Sequence, residues 1–181
     1  MALTQAAAHK LLHALPSPVA PGLTGDEFRT IEARYGFRFN PDHRTLLAAG
    51  LPSGDPRWPD WRGSPAILGE LLAAPIEGIL FDVEENDFWL PTWGIRPNTT
   101  DKAVGVARRA LAQAPIMVPV FSHRYAPALD TTDLPVFSVM QSDVIVYGDD
   151  FGDYFFHEFG VGSATERRKS KRVPFWSELA S

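Results

Sequence analysis

Ser122, His123, Arg124 and Tyr125 put a hydroxyl, an imidazole, a guanidinium and a phenol in one uninterrupted row. A serine hydrolase needs its serine on a strained turn, a histidine within hydrogen-bond reach, and an acid to orient that histidine. Successive side chains of a strand point to opposite faces. On that alternation Ser122 goes with Arg124 and His123 with Tyr125, so Ser122 and His123 are kept apart. No G-x-S-x-G turn occurs in the chain. The fork of Arg124 suits a carboxylate, with Asp133 and Asp143 the expected partners across a sheet. Two readings follow. One is a structural polar rim at a sheet end. The other is a small-ligand or catalytic pocket lined by His123, Arg124 and Tyr125, with His123 as acid or base.

A second group is Asp82, Glu84, Glu85 and Asp87, four acids within six positions, followed by Phe88, Trp89 and Trp93. On a helix Asp82, Glu85 and Asn86 share a face. Oxygen ligands so placed can hold a divalent cation, but the ligand rhythm of a calcium loop is missing and no metal is expected. A solvated acidic face is the plain reading. The sharper one is a docking patch for a basic protein, with Trp89 and Trp93 as anchors. A core role for both indoles is the counter-reading. His9 and His13 have zinc-ligand spacing on one helix but no evident third ligand. Trp58 and Trp61 lie in a proline-rich loop and serve either as a lid over the core or as an interaction surface. Neither G-x-G-x-x-G nor a P-loop is present, so no nucleotide cofactor is expected. A glycosidase would need two carboxylates opposed across a cleft, and nothing in the spacing pairs them.

The elements that must position these groups can be read along the chain. Residues 3–15 are Ala-rich and helical in propensity. "PSPVAPG" (16–22) reads as a linker. Thr24 and Glu27 have capping-box spacing, Leu23 and Phe28 stand at the staple positions, and Gly36 stops that helix. "FRF" (37–39) reads as a short strand. Asn40 and Pro41 start a helix that Gly50 ends. Ser64 and Pro65 start another to about residue 73, and Pro75 opens a further one to about residue 85. Residues 99–115 carry helical periodicity. Then the period changes. "IMVPVFS" (116–122), "PVFSV" (135–139) and "DVIVYG" (143–148) read as strands, and 149–159 returns to helix. Helices, then strands, then a helix predict an α+β fold: a mostly antiparallel central sheet with helices packed beside it, in a single domain.

The chain has 181 residues and a net charge of −5. That charge is uneven: without residues 166–181 the balance is 12 basic to 20 acidic. An acidic body repels nucleic acid and attracts basic partners. The cluster Arg167, Arg168, Lys169, Lys171 and Arg172 is the one place where nucleic acid or an anionic lipid could be touched; its plain reading is a solvated, mobile end. Cysteine is absent, which excludes disulfides and favours a reducing compartment. The N-terminus lacks a basic start and an unbroken apolar run, and no stretch is long enough to span a bilayer. The expectation is a soluble cytosolic protein without a membrane partner. An Ala-rich first helix and exposed tryptophans leave self-association open.

"GILFDVEENDFWLPTWG" (78–94) and "MVPVFSHRYAP…PVFSVMQSDVIVYG" (117–148) resemble a bacterial branch of the SUKH superfamily, and "FNPDHRTLLAAG" (39–50) resembles that family's early strand, proline, short helix and glycine. The superfamily includes fungal cell-wall-assembly regulators and bacterial immunity proteins that neutralise toxins. The resemblance implies an α+β domain over 23–160, flanked by an N-terminal helix and Pro-rich linker (1–22) and a basic tail (161–181). It implies a protein-binding module more than an enzyme, with a basic protein such as a nuclease toxin as partner and no cofactor. The added first helix and basic tail depart from the family, so partners engaging the ends cannot be carried over.

Overall fold

The computed structural model describes residues 2–162 and 170–180. The first half is helical: α1 (Gln5–His13), α2 (Gly25–Tyr35), α3 (Pro41–Ala49), α4 (Pro65–Glu85) and α5 (Thr100–Leu111), with a small ladder of β1 (Val19–Ala20) and β2 (Leu51–Pro52) between them. A 3-10 turn at Pro91–Trp93 separates α4 from α5. Then come β3 (Met117–Phe121), β4 (Arg124–Pro127), β5 (Val136–Met140) and β6 (Asp143–Gly148), followed by α6 (Phe151–Phe159) and α7 (Trp176–Leu179). The larger sheet has the order β3-β4-β5-β6 and every pairing is antiparallel. This is the expected α+β fold. Among the described residues no helix is long and apolar enough to cross a membrane.

Local chemistry explains the helix starts. The Thr24 hydroxyl accepts from the Glu27 N–H at 3.3 Å, and the Glu27 carboxylate accepts from the Thr24 N–H at 2.8 Å. Two of the first-turn donors are thereby satisfied. Asn40 caps α3 by accepting from the His43 N–H at 2.8 Å, and Pro41 fills the first helical position. Gly36 closes α2 in the left-handed region at φ 70°.

Three expectations are corrected. Residues 37–39 form no strand; Phe37 and Phe39 are buried edge-to-face in an aromatic cluster with Phe28. The helix does not restart at Pro75, because α4 is continuous through it. Proline lacks the N–H that would bond the Leu71 carbonyl, and burial of Leu68, Ile79, Leu80 and Val83 on the same helix offsets that loss. The solvated end expected from the charge run does not hold for residues 170–180. Val173 and Trp176 are 0% exposed in one core cluster with Leu111, Met117 and Phe137. Arg167, Arg168 and Lys169 lie outside the described residues. At the other end, α1 buries Ala8, Leu11 and Leu12 in the cluster that holds Val136, Phe151 and Phe155, and the 16–22 stretch read as a linker carries β1.

Candidate functional site

Ser122 and His123 are the two residues of the turn between β3 and β4, since Phe121 pairs with Arg124 in the register. Ser122 has φ 50°, and its Oγ lies 3.1 Å from His123 Nδ1. The expected separation of these side chains is therefore corrected: strand alternation ends at Phe121, and a tight turn brings neighbours together. The Ser122 N–H is held by the Arg57 carbonyl at 2.8 Å. Burial lowers the His123 pKa, and the nearby positive Arg124 lowers it further. Burial raises that of Tyr125, which is 4% exposed.

Arg124 does not pair with Asp133 or Asp143. Its Nε donates to Glu158 Oε2 at 2.9 Å and its Nη1 to Ser138 Oγ at 2.9 Å, while the guanidinium lies 3.7 Å from the centroid of the Tyr147 ring. With both side chains largely buried, this is a pair that bridges sheet and helix. The sheet reason is register, which sets Arg124 opposite Ser138 on β5. The helix reason is spacing: Phe151, Tyr154, Phe155 and Glu158 form one stripe of α6 at i, i+3, i+4 and i+7. An acid on the apolar stripe of a helix was the available signal for Glu158. Engaged on these three sides, the guanidinium has little left to offer an anion. Cavities lie between α1 and α6, between α4 and α5, and beneath the 51–63 loop; His123, Arg124 and Tyr125 line none of them. Arg124→Ala is expected to destabilise the protein by about 2–3 kcal/mol by leaving Glu158 uncompensated. Arg124→Lys should recover only part of that, because an ammonium cannot fork and stack. Urea unfolding of both variants checks this, and equal stability of Arg124→Ala and wild type would refute it.

The second group divides. Asp82 is 5% exposed and works inside the fold: its Oδ1 accepts from Asn86 Nδ2 at 2.7 Å and its Oδ2 from the Ser142 N–H at 2.8 Å. Burial alone would raise its pKa, yet the hydrogen bonds from Ser142 and Asn86 hold it below the ordinary value. Asp82 thus ties α4 to the β5–β6 turn and leaves the acidic surface. Glu84, Glu85 and Asp87 stay exposed. Asp87 is ion-paired with Arg96, whose Nη2 also donates to the Val83 carbonyl at 2.7 Å. Trp89 and Trp93 are half-buried and meet edge to face at 5.2 Å between centroids, with Trp89 Nε1 donating to the Gly94 carbonyl at 2.8 Å. Beside them Ile95 is 96% exposed, an apolar side chain that no periodicity singled out. The indoles are neither sealed inside nor free; each backs onto the core and shows one side to solvent.

Trp58 and Trp61 are 8% and 5% exposed, so they serve as the lid over the core. The His9 and His13 rings stack at 6.3 Å on an exposed face of α1. Among the described residues no group of three or more His, Asp or Glu side chains is placed to hold a metal ion. Fold and site together define a single-domain α+β protein with exposed carboxylates beside two half-buried indoles. Comparison of the chain with known protein families, curated proteins and solved structures finds no match.

Proposed function

We propose that this chain is a protein-binding module whose face around Glu84, Glu85, Asp87, Trp89 and Trp93 captures a cationic protein. One observation carries the reading: unburied carboxylates stand at the end of α4 beside two half-exposed indoles and the bare side chain of Ile95. Interfaces take their strength from aromatic anchors and their encounter rate from complementary charge. The acidic body adds long-range attraction for a basic partner. The resemblance of residues 78–94 and 117–148 to the SUKH superfamily supports the specific form of the proposal, an immunity or regulatory protein with a basic toxin as partner. The cysteine-free composition suits a cytosolic setting.

The test is a pull-down with the full chain from its native cytosol at low and high salt, repeated with the double variant Glu84→Lys, Glu85→Lys and with Trp93→Ala. Capture of a basic protein at low salt, weakened by added salt and lost in both variants, supports the reading. Capture that ignores all three changes, or no capture at either ionic strength, overturns it.

A further inference from the structure

The exposed side of α4 carries a repeat that the acidic patch at its end does not explain. Ile67, Ala74 and Phe81 are seven residues apart, and so are Glu70, Glu77 and Glu84. All six are exposed, Ile67 at 59% and Phe81 at 48%. Together they run 67, 70, 74, 77, 81, 84, the alternating three and four steps of a heptad seam. Isolated apolar residues on a surface need no explanation. Here two large ones share a heptad position on a helix whose opposite side is already committed to Leu68, Pro75, Ile79, Leu80 and Val83. The β5–β6 turn packs against this helix: a Cβ on Gly78 would stand 3.0 Å from Gln141 Cα, and Asp82 accepts from the Ser142 N–H. Met140, just before that turn, is 58% exposed and widens the apolar share of the flank.

Charge selects the occupant. The helix contains Glu70, Glu77, Asp82, Glu84 and Glu85 and no lysine or arginine. Glu84 and Glu85 sit at its C-terminal end, where the helix dipole is already negative and cations are favoured. Of the glutamate row, Glu77 pairs with Arg108 of α5 at 2.9 Å, whereas Glu70 and Glu84 are in no ion pair among the described residues. Those two carboxylates stand fourteen residues apart, about 21 Å along the axis. A second copy of this helix would face acid with acid, and nucleic acid or an anionic bilayer would be repelled.

We infer that α4 is a docking rail for a cationic amphipathic helix, one that places lysine or arginine against Glu70 and Glu84 at heptad spacing and small or branched apolar side chains against Ile67, Ala74 and Phe81. This deepens the proposed capture of a basic protein and rests on that reading for the sign of the partner's charge. It adds the partner's secondary structure and its register. A helix-on-helix seam recognises by spacing, so it discriminates among partners of equal charge.

The test uses the full chain and two synthetic peptides of identical lysine–leucine–alanine composition, both stapled into helices. One repeats lysine and leucine every seven residues; the other has the same residues in shuffled order. Binding is read by fluorescence anisotropy at low salt, with circular dichroism and thermal unfolding confirming that each variant folds. The heptad peptide is expected to bind at least about tenfold more tightly than the shuffled one, and Glu70→Lys and Glu84→Lys are each expected to weaken it about tenfold. Phe81→Ala should weaken it severalfold. If both peptides bind equally and Trp93→Ala weakens both while Glu70→Lys does not, the rail is overturned and the end-of-helix patch stands. If neither peptide binds, the rail and the cationic partner fall together.

Discussion

Trp176→Ala is expected to cost about 3–5 kcal/mol of folding stability, a large part of what a domain of this size possesses. The indole is 0% exposed, and its Nε1 donates to the Pro115 carbonyl at 2.7 Å, just ahead of the first strand of the larger sheet. Around it the chain turns back on itself. Phe175 has φ 68° and ψ −60°, and the Trp176 N–H bonds the Pro174 carbonyl two residues back at 2.8 Å. That is a γ-turn, a strained conformation for a residue bearing a side chain, and it costs on the order of 1–3 kcal/mol. It persists because Val173 and Trp176 are fixed on either side of it. The remaining backbone bonds of the segment are internal: Ser177 to Val173, Glu178 and Leu179 to Phe175, Ala180 to Trp176. The last eight described residues are therefore a compact knot anchored chiefly by two apolar side chains. Removing the larger anchor releases the strain along with the contacts. Urea unfolding should show the lost stability, and hydrogen exchange should show the 173–180 amides opening well below the global free energy. A loss under about 1 kcal/mol would mean that the segment is an ornament on an independent core.

The contrast between this end and the helix starts shows what a linear reading can reach. The caps at Thr24 and Asn40 were legible because donor and acceptor lie three residues apart and the geometry is closed locally. The strand cluster was legible because its composition changes at Ile116 and stays changed. Pro75 misled because the penalty of a missing N–H is local, while the burial that outweighs it comes from the sheet beneath α4. Ser122 and His123 misled for a geometric reason: alternation was extended one residue past the strand, into a turn where it does not apply. The partner of Arg124 was out of reach in a different way. Asp133 and Asp143 were near in sequence, whereas Glu158 is 34 residues on and is brought close by the packing of α6. The acidic group was half legible, since helical spacing linked Asp82 with Asn86 but gave no sign that Asp82 is consumed by the β5–β6 turn. Trp176 hides behind charge: five basic residues within six positions point to solvent, and no local spacing marks Val173 and Trp176, just beyond them, as core anchors.

Acid should expose another consequence of the packing. His43 is 1% exposed, ringed by Phe39 at 5.3 Å, Trp61 at 6.3 Å and Phe151 at 5.3 Å between centroids. Its Nδ1 has no hydrogen-bond partner, so nothing there compensates a positive charge. Burial pushes its pKa down from 6.5 to about 3. In the unfolded chain the same imidazole takes a proton near 6.5, so between those two values the unfolded state binds more protons than the folded one. Stability must then rise with pH across this window, and fall as pH is lowered through it. The slope approaches about 1.4 kcal/mol per pH unit, giving a loss of about 3 kcal/mol by pH 4.5 and about 4–5 kcal/mol by pH 3. The carboxylates held low in the fold, Asp82 among them, add their own loss only below their ordinary range near 4. The window from pH 7 to 4.5 therefore leaves the carboxylates out and reads two histidines, the deeply buried His43 and the turn residue His123, whose lowered pKa adds a loss of the same sign. His43→Leu keeps an apolar side chain of similar volume and removes the proton site. Urea midpoints measured across that window should decline steeply for the wild type and distinctly less for His43→Leu, where only His123 keeps a lowered pKa, so that the variant overtakes the wild type on the acid side. Parallel curves would show that His43 accepts its proton inside the fold, and that the aromatic cage around α3 opens to water well before the protein unfolds.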